Sequence, residues 1–270
     1  MTAKKTDPAA WQTVQKARDP ERPVGRHYIE AMFDGFIEFH GDRLFGDDPA
    51  IVGGLAWLND IPVTVLAQHK GSTLEERMAQ NFGMAHPEGY RKSLRLMKQA
   101  EKFNRPVVCI IDTNGAYPGI GAEERGQATA IAQNLLELAG LKTPVVSVII
   151  GEGGSGGALA LALADRVIML ENTIYSVITP EGCASILLKD ASKAKEVASH
   201  LKLTAQDLES FGIIDTIISE PERLTVNNLS SVSDVLKKEI YESLQILLTL
   251  DKDELVAKRQ EKHLAITGDN

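Results

Sequence analysis

Pro144-Val145-Val146-Ser147-Val148-Ile149-Ile150 runs directly into Gly151-Glu152-Gly153-Gly154-Ser155-Gly156-Gly157, and a second apolar stretch, Ala158 to Ala164, follows. The order predicts a strand, a glycine turn and a buried helix. Glycine has no Cβ, so successive glycines admit positive φ and let bare N–H groups approach a ligand. At a helix start those N–H groups lack a partner within the helix and carry the positive end of its dipole. The stretch therefore suits an oxyanion. Three motifs fit it. Gly151, Gly153 and Gly156 spell the dinucleotide fingerprint G-x-G-x-x-G, with Glu171 downstream for a ribose hydroxyl. Gly153, Ser155 and Gly157 spell the nucleophile elbow G-x-S-x-G. The third reading is a main-chain oxyanion hole with no nucleophile. Glycines that merely allow close strand–helix packing are the structural alternative.

The region upstream repeats the pattern. Pro106 to Asp112 reads as a buried strand, Thr113-Asn114-Gly115-Ala116-Tyr117-Pro118-Gly119-Ile120-Gly121 as a second glycine-rich loop, and Ala122 to Leu138 as one long helix. If the two strands are parallel neighbours, their carboxyl ends face one crevice and both loops offer N–H groups to one ligand. A dinucleotide fold carries its fingerprint on the first strand of the unit, whereas several strands precede it here. A serine hydrolase would need Asp165 or Asp215 and then His200 or His263 after Ser155, and neither histidine falls at a strand end.

The 270 residues can bury one α/β core with appendages. A formal net charge of -8 argues against general affinity for nucleic acid or anionic membrane. Cys109 and Cys183 come without C-x-x-C or His-x-His spacing, so reduced thiols, no zinc site in this chain and a cytoplasmic protein are expected. No run approaches the roughly 18 apolar residues that a membrane span needs. Residues 1–25 read as a polar arm without a catalytic role, ordered only if it docks on something. His27 to Phe39 is apolar at helical spacing and stops at Gly41; Val52 to Leu58 and Pro62 to Gln68 form a hairpin through Asn59-Asp60. Lys70 to Pro87 reads as an exposed loop. Glu88 to Phe103 is an amphipathic helix whose Arg91, Lys92, Arg95 and Lys98 read as a solvated face. Arg166 to Leu170, Thr173 to Val177 and Ile213 to Ile218 read as strands, Pro180 to Leu201 and the segment capped by Thr204 as helices. Val232 to Leu250 and Asp253 to His263 are tail helices that need a partner surface. The expected organisation is an arm over 1–25, a main domain over 26–225 and a helical extension over 226–270.

Gly41-Asp42-Arg43, Asn81-Phe82-Gly83-Met84, Pro87-Glu88-Gly89-Tyr90-Arg91-Lys92, Gly115-Ala116-Tyr117-Pro118-Gly119, Glu123-Glu124-Arg125-Gly126, Gly151 to Ala158 and Pro180-Glu181-Gly182-Cys183-Ala184-Ser185-Ile186 follow one another at consistent spacing. Over roughly residues 25 to 220 they resemble the α subunits of the bacterial acetyl-CoA carboxylase carboxyltransferase family. Asn114 stands where that family usually has proline, and Glu222-Arg223-Leu224 replaces a glycine-rich ending after Glu220-Pro221. The resemblance implies an α/β, crotonase-like spiral of ββα units with extra N- and C-terminal helices. It implies transfer of a carboxyl group from carboxybiotin, on biotin carboxyl carrier protein, to acetyl-CoA, giving malonyl-CoA for fatty acid biosynthesis. The implied partners are a zinc-bearing β subunit in an α2β2 assembly and biotin carboxylase, with ATP bound at the level of the whole complex. The absence of cysteine pairs fits the α role. With the glycine reading, the resemblance assigns the N–H groups of Gly156, Gly157, Gly119 and Ile120 to the ureido oxygen of biotin. Tyr117, Pro118, Arg125 and Ser155 are the expected substrate contacts, Arg125 being either a carboxylate guide or a structural ion pair. The alternative is a crotonase-fold serine hydrolase using Ser155.

Overall fold

The computed structural model describes residues 8–266. The chain enters through α1 (Pro8–Ala17), whose Val14 and Ala17 pack on Ile174 and Leu203, so this part of the arm is docked. Next comes α2 (Gly25–Met32), and here the expected helix to Phe39 stops early. Phe33 is extended and Gly35 lies at φ +63°, so Asp34–Glu38 peels away as strand β1, bulged against its neighbour. The apolar residues of this stretch satisfy a short strand as well as a helix. Strands β2 (Ile51–Leu58) and β3 (Ile61–Gln68) form the expected hairpin, with Asn59 at φ +54° in its turn.

The expected loop after it contains α3 (Leu74–Ala79). Thr73 accepts the Glu76 N–H while Glu76 reaches back to the Thr73 N–H, a capping box that the glycines around it obscure in the sequence. The amphipathic helix is α4 (Pro87–Lys102), but of its basic face only Lys98 is exposed. Arg91 Nε pairs with Asp42 at 2.8 Å and the buried Lys92 Nζ with Asp47 at 2.6 Å, docking the acidic 42–48 loop onto the helix. After β4 (Val107–Thr113) the single long helix is two, α5 (Ile120–Glu124) and α6 (Gln127–Gly140), broken where Gly126 adopts φ +83°.

The deciding stretch forms β5 (Val145–Gly154) and α7 (Ser155–Ala162). Then follow β6 (Arg166–Leu170), β7 (Ile174–Ser176), α8 (Pro180–Leu188), α9 (Ala194–Ala198), α10 (Ala205–Ser210), β8 (Thr216–Ile218), α11 (Ser230–Leu247) and α12 (Lys252–Ala265). The last strand is thus shorter than expected. The sheet order is β1-β2-β3-β4-β5-β6-β8, antiparallel as far as β3 and parallel from there on. The distal end of β5, Glu152 to Gly154, exchanges β6 for β7 while Gly153 stays opposite Thr113 of β4.

Alternation along the central strands builds a three-layer molecule. Val107, Cys109, Ile111, Val145 and Ile149 face a core shared with α4, α6 and α7. Val108, Ile110, Val146, Val148 and Ile150 face the opposite core, closed by α2 and α11. The partner surface that the first tail helix needs is therefore the sheet itself. Helix α12 is held by the buried Arg259, which donates to the carbonyls of Leu138, Leu141 and Thr143 and pairs with Asp165 at 2.7 Å. Both cysteines are buried and free, and burial pushes the Cys109 thiol up to about 12.

Candidate active site

β4 and β5 are parallel and in contact, so their carboxyl ends open on the same side, as the repeated pattern predicts. The glycine stretch is not a turn, however. β5 continues through Gly154, and none of Gly151, Gly153, Gly154, Gly156 and Gly157 has positive φ; the residue in the left-handed region is Ser155, at φ +51°. The change from strand to helix, with no loop between them, falls on this one residue. The glycines serve close approach instead. A Cβ on Gly154 would overlap the Asn114 carbonyl, one on Gly151 would overlap the Asp112 carboxylate, and one on Gly157 would lie 2.6 Å from the Ala116 nitrogen. The elbow is thus pressed onto the 114–116 loop, with no room for a side chain at Gly154 or Gly157.

The N–H groups of Gly156 and Gly157 fall in the first turn of α7, where no helical carbonyl reaches them. Gly156 also lines an apolar groove of about 410 Å³, walled by Ser155 and Leu159 on one element and by Tyr175, Ser176 and Val177 on another, with Leu201, Leu208, Phe211 and Ile213 closing it. Sequence alone does not single out these groove residues beyond the elbow, because β7 and the α9–α10 region carry no motif.

The second loop is held from behind. Tyr117 N–H donates to the Ala85 carbonyl at 3.1 Å, and Gln127 Nε2 donates to the carbonyls of both Ala85 and Tyr117. The Tyr117 ring stacks on His86 with centroids 4.1 Å apart. Pro118 is exposed, Gly119 caps α5, and Ile120 opens that helix with its side chain 77% exposed. The atoms nearest to a Cβ built on Gly119 are those of the Tyr117 ring, whereas the residues that touch the elbow are Asn114, Gly115 and Ala116. Arg125 makes a two-pronged pair with Glu88, at 2.8 and 3.1 Å, and its guanidinium lies 4.5 Å from the Phe45 ring centre. Of its two readings, the ion pair is present.

Beneath the elbow lies a charge cluster. Lys70 Nζ sits 2.7 Å from Asp112 Oδ1 and 3.2 Å from Glu152 Oε1, and Asp112 Oδ1 also accepts the Glu152 N–H at 2.9 Å. Arg18 Nε donates to Glu152 Oε2 at 2.8 Å. Burial works against the charge on Glu152, but Lys70 and Arg18 hold its carboxyl below the usual range; burial likewise opposes the Lys70 charge, which Asp112 and Glu152 raise above its usual value. Gln68 completes the brace, donating to the Gly157 carbonyl at 2.8 Å and accepting the Asp112 N–H at 3.2 Å. In the sequence the cluster shows only as one charged residue near the carboxyl end of each of three neighbouring strands, which no motif marks.

The two rival motifs lose their parts. His200 Nδ1 contacts the Glu196 carbonyl and His263 Nε2 that of Ala164, while Asp165 pairs with Arg259 and Asp215 with Lys262. Among the described residues no histidine lines the groove beside Ser155. Glu171 is taken up by the Glu220 N–H. Among the described residues no helix is long and apolar enough to cross a membrane.

A family described as "Acetyl co-enzyme A carboxylase carboxyltransferase-like" matches residues 5–267. The acetyl-coenzyme A carboxylase carboxyl transferase subunit alpha of Clostridium perfringens (strain ATCC 13124) is 59% identical over 254 residues, which cover 94% of each chain. A Clostridium tetani protein named acetyl-coenzyme A carboxylase carboxyl transferase subunits beta/alpha is 52% identical, over 95% of this chain and 45% of that one. Among solved structures, transcarboxylase 12S with methylmalonyl-coenzyme A and methylmalonic acid bound aligns with a TM-score of 0.70 at 18% identity, over 90% of this chain and 45% of that one.

Proposed function

Because the chain belongs to the acetyl-CoA carboxylase carboxyltransferase family as an α subunit, we propose that its elbow at Gly154-Ser155-Gly156-Gly157 handles the carboxybiotin side of the reaction. The activity is biotin-dependent transfer of a carboxyl group to acetyl-CoA, giving malonyl-CoA for fatty acid synthesis. Carboxybiotin, when bound, supplies that carboxyl group. The residues present fit it: biotin is apolar apart from its ureido head, and the groove is mostly apolar, with Ser155, Ser176 and Lys202 as its polar members beside the main chain at Gly156. The N–H groups of Gly156 and Gly157 hold negative charge at the ureido oxygen, and those of Gly119 and Ile120 supply the second pair. Donors fixed in place before the reaction cost no reorganisation during it, which is why such groups supply a large share of catalysis. Tyr117 and Pro118 shape the entrance, Arg125 braces the loop through Glu88, and Ser155 contributes its backbone corner and no proton transfer. One observation carries the reading: Gly156 lines the apolar groove with its N–H in an open first turn of α7.

The thioester half of the site comes from a β subunit, which also carries the zinc, and the two chains work as α2β2 with biotin carboxyl carrier protein and biotin carboxylase in the cytoplasm. The name of the Clostridium tetani relative, which joins beta and alpha, supports that pairing. The test is malonyl-CoA formation by this chain alone, by its β subunit alone and by the mixture. Activity in the mixture only is expected. Robust synthesis by this chain alone would sink the shared site, and an inactive mixture of folded chains would overturn the whole reading.

A further inference from the structure

Arg18 bridges two elements, β5 and α8, that adjoin the walls of the groove without lining it. Its Nε donates to Glu152 Oε2 at 2.8 Å, and its Nη1 and Nη2 donate to the two carboxylate oxygens of Glu181 at 2.8 and 3.2 Å. Glu152 lies in β5 three residues before Ser155. Glu181 lies in the first turn of α8, just after β7 and the Val177 that follows it, the second wall of the groove. Arg18 itself is seated by α1, which packs against Ile174 of β7. Lys70 and Asp112 pin Glu152 from the other side.

We propose that Arg18 is a positioning residue for carboxyl transfer: by tying β5 to the start of α8, it sets the separation between the elbow and the β7 wall that leads into α8, and so aims the Gly156 and Gly157 N–H groups. The proposal rests on the reading of those N–H groups as the ureido-oxygen donors. A planar guanidinium can bond two carboxylates in fixed directions at once, whereas an ammonium is a point charge that satisfies one geometry at a time. Displacement by about 1 Å of groups that must meet a transition state costs about 10²-fold in rate. The N-terminal arm, expected from its composition to have no catalytic part, thereby bears on turnover without touching substrate.

The test uses the assembled complex with the β subunit and compares wild type, Arg18→Lys, Arg18→Ala and Gly157→Val. Arg18→Lys keeps the charge and loses the two-way bridge. Its kcat is expected to fall by at least about 10-fold with the acetyl-CoA KM unchanged, the pattern of an interaction felt in the transition state. Methylguanidinium is expected to restore part of the kcat of Arg18→Ala, which a merely structural loss would not allow. Full kcat per folded complex in both Arg18 variants, with only the thermal midpoint lowered, would overturn the proposal while an inactive Gly157→Val leaves the elbow reading standing. A fully active Gly157→Val would remove that reading and this inference with it.

Discussion

Ser155 holds the least favourable backbone of the site, and it does so where glycines are the obvious candidates. A left-handed conformation costs an L-residue roughly 1–2 kcal/mol, and Ser155 sits at φ +51°. The proposed reaction gives its hydroxyl no step, so Ser155→Ala is expected to keep most of the turnover of the complex. A Ser155→Ala complex that assembles normally and is dead would point to a nucleophilic serine. Gly157→Val is expected to abolish activity for a steric reason, since its Cβ would lie 2.6 Å from the Ala116 nitrogen and 2.6 Å from the Gly115 carbonyl carbon. A second residue shows how charge anchors the surroundings of the site. Burial opposes ionisation of Asp42, yet the N–H groups of Leu44, Phe45 and Gly46 and the Arg91 guanidinium bring its carboxyl down from 3.8 to about 2. A depressed carboxyl contributes stability that is fully present above its unfolded value and is lost as pH falls through its folded one. Asp42→Asn is therefore expected to cost about 1–3 kcal/mol at pH 7, a gap from wild type that narrows below pH 3.8 and closes towards about 2. Urea unfolding across that range checks it, and a gap that stays constant with pH would refute it.

At the scale of elements, the second loop and its helix decide whether one oxyanion pair or two are present. Helix α5 spans only Ile120–Glu124, so its dipole is slight and its value lies in the direction of its first N–H groups. A side chain on Gly119 would strike the Tyr117 ring. Gly119→Val in the complex is expected to lower turnover by roughly the 10²- to 10³-fold of losing one oxyanion donor, with the acetyl-CoA KM little changed. Unchanged turnover with a large rise in that KM would place the loop on the thioester side instead. The strands and the two strand–loop–helix units are legible in the sequence because β4 and β5 are buried on both faces and read as unbroken apolar runs. The departures are local. Phe36 and Ile37 keep helical spacing inside what is β1, and only the left-handed Gly35 marks the change. Gly126 looks tolerable inside a helix and in fact ends one. The basic face of α4 looks solvated because its acidic partners, Asp42 and Asp47, lie some fifty residues away in sequence, as the Arg91–Asp42 pair shows. Of the site, the N–H donors carry a motif; the cluster of Lys70, Asp112, Glu152 and Arg18 does not, since only the sheet brings it together.

The whole molecule is a crotonase-like carboxyltransferase fold in which the parallel part of a mixed sheet carries two loops to one edge and helices cover both faces. Its first helix closes over that edge and its last is pinned to the far side by Arg259. The groove beside the elbow is open and apolar, with Val177 78% exposed and Phe211 52% exposed at its margin. An open apolar site suits completion by a second chain, which is why activity is expected from the mixture of subunits and not from this one. On the proposed reading, a main-chain N–H in the first turn of α7 stabilises the charge that develops at the ureido oxygen. The direct measurement replaces the amide between Gly156 and Gly157 by an ester through semisynthesis, which deletes the Gly157 N–H and leaves every side chain in place. That N–H has no partner within the helix, so folding and assembly are expected to be unchanged. Turnover of the assembled complex is expected to fall by roughly 10²- to 10³-fold, and an ester-bearing complex that turns over at the wild-type rate would contradict that role for the N–H.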